Sequence, residues 1–238
     1  KRSSSRERYA MRVSFVFLLV IIAAGPAGAN VIAVIGTGKV GSALGTEFAA
    51  EGHTIVYGSR DPASEAVRSL VQKTGGKASA TFQSAAIRDA DIVILAVPGM
   101  LAGDIAASLG DLAGKIIIDP TNPVNFSNGT ITHGVATSNG EIIQAAAPEA
   151  FVVKAFNVLS WQYMIDPDTS GGPVSIPLAG DNADAKARVA DLVRSIDLHP
   201  IDVGPITHAR WVEGMAILLI NNNFGPLPAF NVHLRETE

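Results

Sequence analysis

Apolar positions in this chain fall into two rhythms. Short, nearly continuous runs at 31–35 (VIAVI), 91–97 (DIVILAV) and 115–119 (KIIID) alternate with longer stretches in which apolar residues return every three or four positions. A continuous run one strand long marks a strand buried on both faces, and the three-to-four spacing marks one face of a helix. On that pattern strands are expected at 31–35, 54–58, 77–81, 91–97, 115–119, 151–155, 174–179 and 199–203. Helices are expected at 39–51, 63–74, 82–88, 100–109, 138–147, 183–196 and 207–221. Strand and helix alternate, which predicts an α/β fold: a doubly wound, mostly parallel sheet with helices on its faces. There is no internal repeat. A soft boundary falls near residue 156, and the turn-rich segment 165–173 reads as exposed. In the last helix, Trp211, Met215, Leu218 and Leu219 form a stripe at helical spacing. It either packs within the chain or covers a homodimer contact or the substrate cleft.

The first apolar run meets Gly36-Thr37-Gly38-Lys39-Val40-Gly41, a G-x-G-x-x-G pattern, and helical periodicity resumes at Val40, Leu44 and Phe48. Each glycine has a task between a strand and a helix. Gly36 allows the tight turn, Gly38 lets the backbone approach a pyrophosphate, and Gly41 lets the helix pack close to the strand. The N–H groups of the helix start then face the anion. This reads as a dinucleotide site on a Rossmann-type sheet over 30–156, with a small C-terminal α/β extension over 157–238 for substrate or dimer contacts. The end of the second strand reports the choice of dinucleotide. An NAD site usually places an acid there for the ribose 2′-hydroxyl; here Gly58-Ser59-Arg60 occupies the place. Ser59 offers a hydroxyl donor and Arg60 a guanidinium fork suited to a 2′-phosphate. That is an NADP reading. Asp61 could instead take the hydroxyl of NAD, and both readings stand at this point.

Three further loops follow strand ends, where ligands sit in open α/β sheets. They are Val97-Pro98-Gly99-Met100, Asp119-Pro120-Thr121-Asn122-Pro123 and Lys154-Ala155-Phe156-Asn157. Three such loops at one sheet edge predict a pocket. Lys154 is either a proton relay or a structural lysine. No G-x-S-x-G elbow and no G-x-x-x-x-G-K-[ST] loop occurs, which disfavours a hydrolase and a P-loop nucleotidase. A hydride acceptor that reacts at carbon needs no proton relay, and flavin-like rings behave this way.

Composition narrows the chemistry further. The 238 residues contain no cysteine, which removes disulfides, thiol catalysis and thiolate metal sites. His53, His133, His199, His208 and His233 lack metal-ligand spacing, so no metal site is expected. The first 29 residues differ from the rest. Lys1, Arg2, Arg6, Arg8 and Arg12 face a single acid, Glu7, ahead of an apolar segment at 13–24 and an Ala27-Gly28-Ala29 site. That is the pattern of a secretory signal, too short for a comfortable membrane span. It is either cleaved before Asn30 on export or kept as a cytoplasmic extension or anchor from Met11. Net charge is -4 at pH 7, and loss of the leader would leave a still more acidic protein, which argues against nucleic-acid binding.

Taken in order, 34–41 (VIGTGKVG), 58–60 (GSR), 96–98 (AVP), 119–123 (DPTNP), 154–157 (KAFN), 178–181 (LAGD), 202–205 (DVGP) and 209–213 (ARWVE) resemble the NADPH-dependent F420 reductases. The same cofactor domain recurs in the cytosolic part of STEAP-type ferric reductases. The resemblance spans most of residues 31–220. It implies an NADP oxidoreductase with a small-molecule redox partner, coenzyme F420 or a flavin, in a cleft beside a small C-terminal domain. It implies that Thr37, Ser59 and Arg60 hold NADP phosphates, that Val97, Pro98 and Asn122 line the nicotinamide, and that Asn157 meets the substrate. A flavin-mediated metal-chelate reductase and a non-catalytic dinucleotide sensor are the alternatives.

Overall fold

The computed structural model describes residues 28–127, 130–224 and 230–235. All of the signal-like segment except its last two residues lies outside them. Ten strands and eight α-helices are described: β1 (Val31–Ile35), α1 (Lys39–Ala50), β2 (Thr54–Ser59), α2 (Glu65–Thr74), β3 (Ala78–Phe82), α3 (Gln83–Ala86), β4 (Ile92–Leu95), α4 (Ala102–Ser108), β5 (Ile116–Asp119), β6 (Val124–Ser127), β7 (Thr130–His133), α5 (Asn139–Ala146), β8 (Phe151–Lys154), α6 (Trp161–Ile165), β9 (Ser175–Ala179), α7 (Ala183–Ser195), β10 (His199–Gly204) and α8 (Ala209–Phe224).

Eight strands form one sheet in the order β10-β9-β8-β5-β4-β1-β2-β3, and β6 and β7 pair as a separate antiparallel hairpin. The sheet pairs are parallel with one exception. β8 meets β9 antiparallel through a single bridge, Lys154 to Ala179. Strand order reverses between β1 and β4, so the crevice where a ligand binds in such a sheet opens over these two strands.

Alternation along each strand explains the core. Ile32 and Val34 of β1 point to one face, where they pack with Ile55, Ile94, Leu44 and Phe48. Ala33 and Ile35 point to the other, with Val93, Leu95, Ala102, Ala106 and Ile143. These strands are buried on both faces, which is why they read as continuous apolar runs. Each fully buried Ile or Leu contributes roughly 1.5–3 kcal/mol.

The expected stripe on the last helix divides between two faces of α8. Leu219 is buried and Met215 half-buried, whereas Trp211 and Leu218 are 74% and 62% exposed. Among the described residues no helix is long and apolar enough to cross a membrane.

Candidate functional site

The glycines of the β1–α1 turn separate into two kinds. Gly36 adopts φ +103°, and a Cβ there would lie 2.1 Å from the Ala96 carbonyl oxygen. A Cβ on Gly41 would lie 2.1 Å from the Gly36 carbonyl oxygen. The fold itself demands these two. Gly38 has an ordinary φ of -77°, and a Cβ on it would meet nothing within 4 Å. Nothing within the described fold requires a glycine at position 38. No side chain caps α1, and its first turn carries no acid, so the positive end of the helix is not neutralised by its own residues. Thr37 and Val40 are half-buried here. Lys39 is exposed, with Nζ 5.7 Å from the centre of the Trp161 ring.

Ser59 and Arg60 stand at the end of β2, held beside the turn by the Gly36 N–H, which donates to Gly58 O at 3.0 Å. The Ser59 hydroxyl accepts from the Asp61 N–H at 3.1 Å, leaving its own proton free to donate. Asp61 Oδ1 is occupied by the Ala63 N–H at 3.2 Å, in a local turn. The exposed Arg60 has no hydrogen bond or ion pair among the described residues.

At the next strand ends the loops meet. A Cβ on Gly99 would lie 1.8 Å from Asn122 O, so the segment after Val97 and Pro98 touches the Asn122 backbone directly. Asn122 and Asn157 then bond reciprocally. Asn122 Nδ2 donates to Asn157 O at 2.8 Å, and Asn157 Nδ2 donates to Asn122 Oδ1 at 2.9 Å. Asn157 Nδ2 also reaches Val212 O at 3.3 Å, which fixes the amide's orientation. Its Oδ1 is buried with no hydrogen-bond partner. Phe156, just before it, sits at φ +63°, a conformation that bulky residues enter only at a cost of about 1–3 kcal/mol. Both asparagines line a cavity of about 780 Å³, bounded by Tyr163 of α6, Ser175 of β9, Leu219 of α8 and Phe230. The segment 230–235 is tied along it: Asn231 Nδ2 donates to Ser170 O at 3.2 Å, and Ser175 Oγ donates to Leu234 O at 2.7 Å.

Beneath these loops lies a cluster that sequence reasoning missed. Lys154, fully buried, places Nζ 2.6 Å from Asp119 Oδ2, 2.6 Å from Glu213 Oε1 and 2.7 Å from Thr121 O. A lysine sealed from solvent and committed to three oxygens is not a proton relay for substrate. Glu213 also accepts the Asn139 N–H at 2.9 Å and approaches His133 Nε2 at 3.0 Å. The signal was present: Asp119 and Lys154 are charges at the ends of otherwise apolar buried runs, and Glu213 falls on the buried side of α8. Charges in such places need one another.

A second polar tie joins α5 to α8. Arg210 donates to Glu141 from Nε at 2.6 Å and from Nη2 at 2.5 Å. The guanidinium holds the Glu141 carboxyl below the ordinary carboxylate value; partial burial opposes this and the Ser138 hydroxyl adds to it. A carboxyl depressed in the folded state contributes stability above its unfolded value and loses it as pH falls through the folded one. Glu141→Gln will therefore destabilise the protein at neutral pH, and thermal melts will show the gap from the wild type closing in acid. A gap that is constant with pH would mean that the Glu141 charge contributes nothing.

Comparison with known proteins places this geometry. Residues 31–123 match the family model described as NADP oxidoreductase, coenzyme F420-dependent. The chain is 32% identical over 209 residues to the F420-dependent NADP reductase of Methanothermobacter thermautotrophicus, covering 81% of this chain and 88% of that protein. The crystal structure of a candidate F420-dependent NADP reductase from Arthrobacter sp. FB24 superposes with a TM-score of 0.78 at 32% identity, over 86% of this chain and 99% of that one. The chain is also 30% identical over 200 residues to the metalloreductase STEAP3 of Rattus norvegicus. It matches 82% of this chain there but spans only 38% of that relative's length.

Proposed function

From the premise that this chain belongs to the coenzyme F420-dependent NADP oxidoreductases, and so is an NADP-dependent oxidoreductase, we propose that it passes a hydride between NADPH and a flavin or deazaflavin of the F420 class. The observation that carries this reading is the cavity that begins at Asn122 and Asn157, in the loops that follow β5 and β8. When bound, NADPH supplies a hydride with its electron pair to the acceptor ring, and water supplies the proton that completes the two-electron reduction.

The chain's own residues bind and orient. Gly38, Thr37, Lys39 and Val40, between Gly36 and Gly41, cradle the pyrophosphate with backbone N–H groups. Ser59 and Arg60 hold the 2′-phosphate. Val97, Pro98 and Asn122 line the nicotinamide. Asn157, which lines the cavity, meets the acceptor, and the apolar side of α8 covers the ring. Proximity and stacking provide most of the rate.

The resemblance to STEAP3, named a metalloreductase, supports a second reading, flavin-mediated reduction of a metal chelate. NADPH consumption measured against F420, riboflavin, FMN and a ferric chelate separates the two. Turnover with F420 or a flavin alone is expected. Chelate reduction that needs catalytic flavin favours the second reading, and no turnover with any acceptor overturns both.

Arg60→Ala will weaken NADPH binding by about 10- to 150-fold and NADH binding far less, because one charge-assisted contact is lost. Equal losses in calorimetric titrations of the two cofactors would remove Arg60 from the 2′-phosphate.

A further inference from the structure

The reading above gives Lys154 no task, yet burying a lysine with two carboxylates is costly, and an apolar trio of similar volume often serves stability as well. The bonds around it show what the arrangement holds. Lys154 Nζ donates to the Thr121 carbonyl at 2.7 Å and pairs by charge with Asp119 Oδ2 at 2.6 Å, an oxygen that accepts no hydrogen bond. Asp119 Oδ1 accepts both the Thr121 N–H, at 2.8 Å, and the Thr121 hydroxyl, at 2.7 Å. That hydroxyl accepts in turn from Asn139 Nδ2 at 2.7 Å, and the same amide donates to Gly99 O at 2.9 Å. Glu213 closes the circuit, taking Lys154 on Oε1 and the Asn139 N–H on the same carboxylate. The path begins at Lys154 and ends on the residues adjoining Asn122 and Pro98. None of its members lines the cavity.

We propose that Lys154 is a positioning residue for the nicotinamide: through Asp119, Thr121 and Asn139 it sets the spacing between the Pro98 and Asn122 loops. The inference rests on the assignment of Val97, Pro98 and Asn122 to the nicotinamide. It places the effect at one end of the cofactor. The glycine turn and the Ser59–Arg60 pair stand on β1 and β2 and share no bond with the cluster.

The test compares the two ends in the full chain. 2′-Phospho-ADP-ribose, which is NADP without its nicotinamide, probes the adenosine end by calorimetry. The change in NADPH fluorescence on binding probes the nicotinamide end, and kcat with the wild type's best acceptor reports the chemistry. Thr121→Val removes the bridging hydroxyl with no change of charge, Thr121→Ser keeps it, and Lys154→Met removes the hub. For Thr121→Val and Lys154→Met, fragment affinity should stay within about twofold of the wild type, as for distant sites. The bound-NADPH fluorescence change should be lost, and kcat should fall by about 10- to 100-fold from misplacement. Thr121→Ser should restore both. If Lys154→Met does not fold, Thr121→Val and Thr121→Ser carry the test alone. Folded variants with wild-type fluorescence and kcat overturn the positioning role, as does a parallel loss of fragment affinity. A wild type whose NADPH fluorescence does not change on binding instead overturns the nicotinamide assignment, and this inference falls with it.

Discussion

Valine in place of Gly38 will abolish NADPH binding while leaving the protein folded. The backbone there has φ -77°, open to any L-residue, and a Cβ would meet nothing within 4 Å. The folded chain thus has no steric objection to a Cβ at this position. A pyrophosphate seated on the N–H groups of the α1 start does, because the branched side chain fills the volume that it needs. The expected loss of affinity is at least about 100-fold, or about 2.7 kcal/mol, with a melting temperature near that of the wild type. Gly41→Ala provides the contrast. Its Cβ would fall 2.1 Å from the Gly36 carbonyl oxygen, so stability should drop along with binding. If the Gly38 variant titrates NADPH within a few-fold of the wild type, the turn does not bind the pyrophosphate.

Lys154→Met will cost about 3–5 kcal/mol of stability, the usual result of removing one partner from a buried ion pair. Asp119 and Glu213 would remain at zero exposure with their shared cation gone, and the Thr121 carbonyl would lose a donor. Adding Asp119→Asn and Glu213→Gln should recover much of the loss, because the penalty lies in the stranded charges more than in the lost attraction. Urea unfolding of the single and triple variants measures both quantities. A single variant within about 1 kcal/mol of the wild type would place the cluster among the weakly contributing surface pairs.

The parts of this molecule that were legible in its sequence are those built from neighbouring residues. β1, the glycine turn and α1 lie within one contiguous stretch, so apolar run, turn chemistry and helical spacing could be read together. The hairpin escaped because β6 and β7 have four residues each, although Val124, Phe126 and Ile131 alternate with polar residues around Asn128-Gly129, a strong short-loop hairpin signal. The five-residue α6 was too short to show a period. The stripe on α8 was found but could not be divided: Leu219 joins Val212 and Ala216 on the buried face, and Trp211 and Leu218 turn outward. The Lys154 cluster draws on β5, β7, β8, α5 and α8, and only the assembled sheet brings those elements together. Nothing local announces that β9 runs against β8, since the path through α6 and the turns after it sets that direction.

That reversal has a mechanical consequence. A parallel ladder distributes many hydrogen bonds along each pair of strands, but β8 and β9 share only the bridge from Lys154 to Ala179. The β9–α7–β10 unit is therefore joined to the rest of the sheet by side-chain packing more than by a backbone ladder: Ile176 and Leu178 of β9 and Val189 of α7 share one core with Val153 of β8. Ser175, at the head of β9, lines the large cavity across that junction from Asn157. The cavity therefore lies across a seam of the sheet that apolar packing, rather than backbone hydrogen bonds, holds closed.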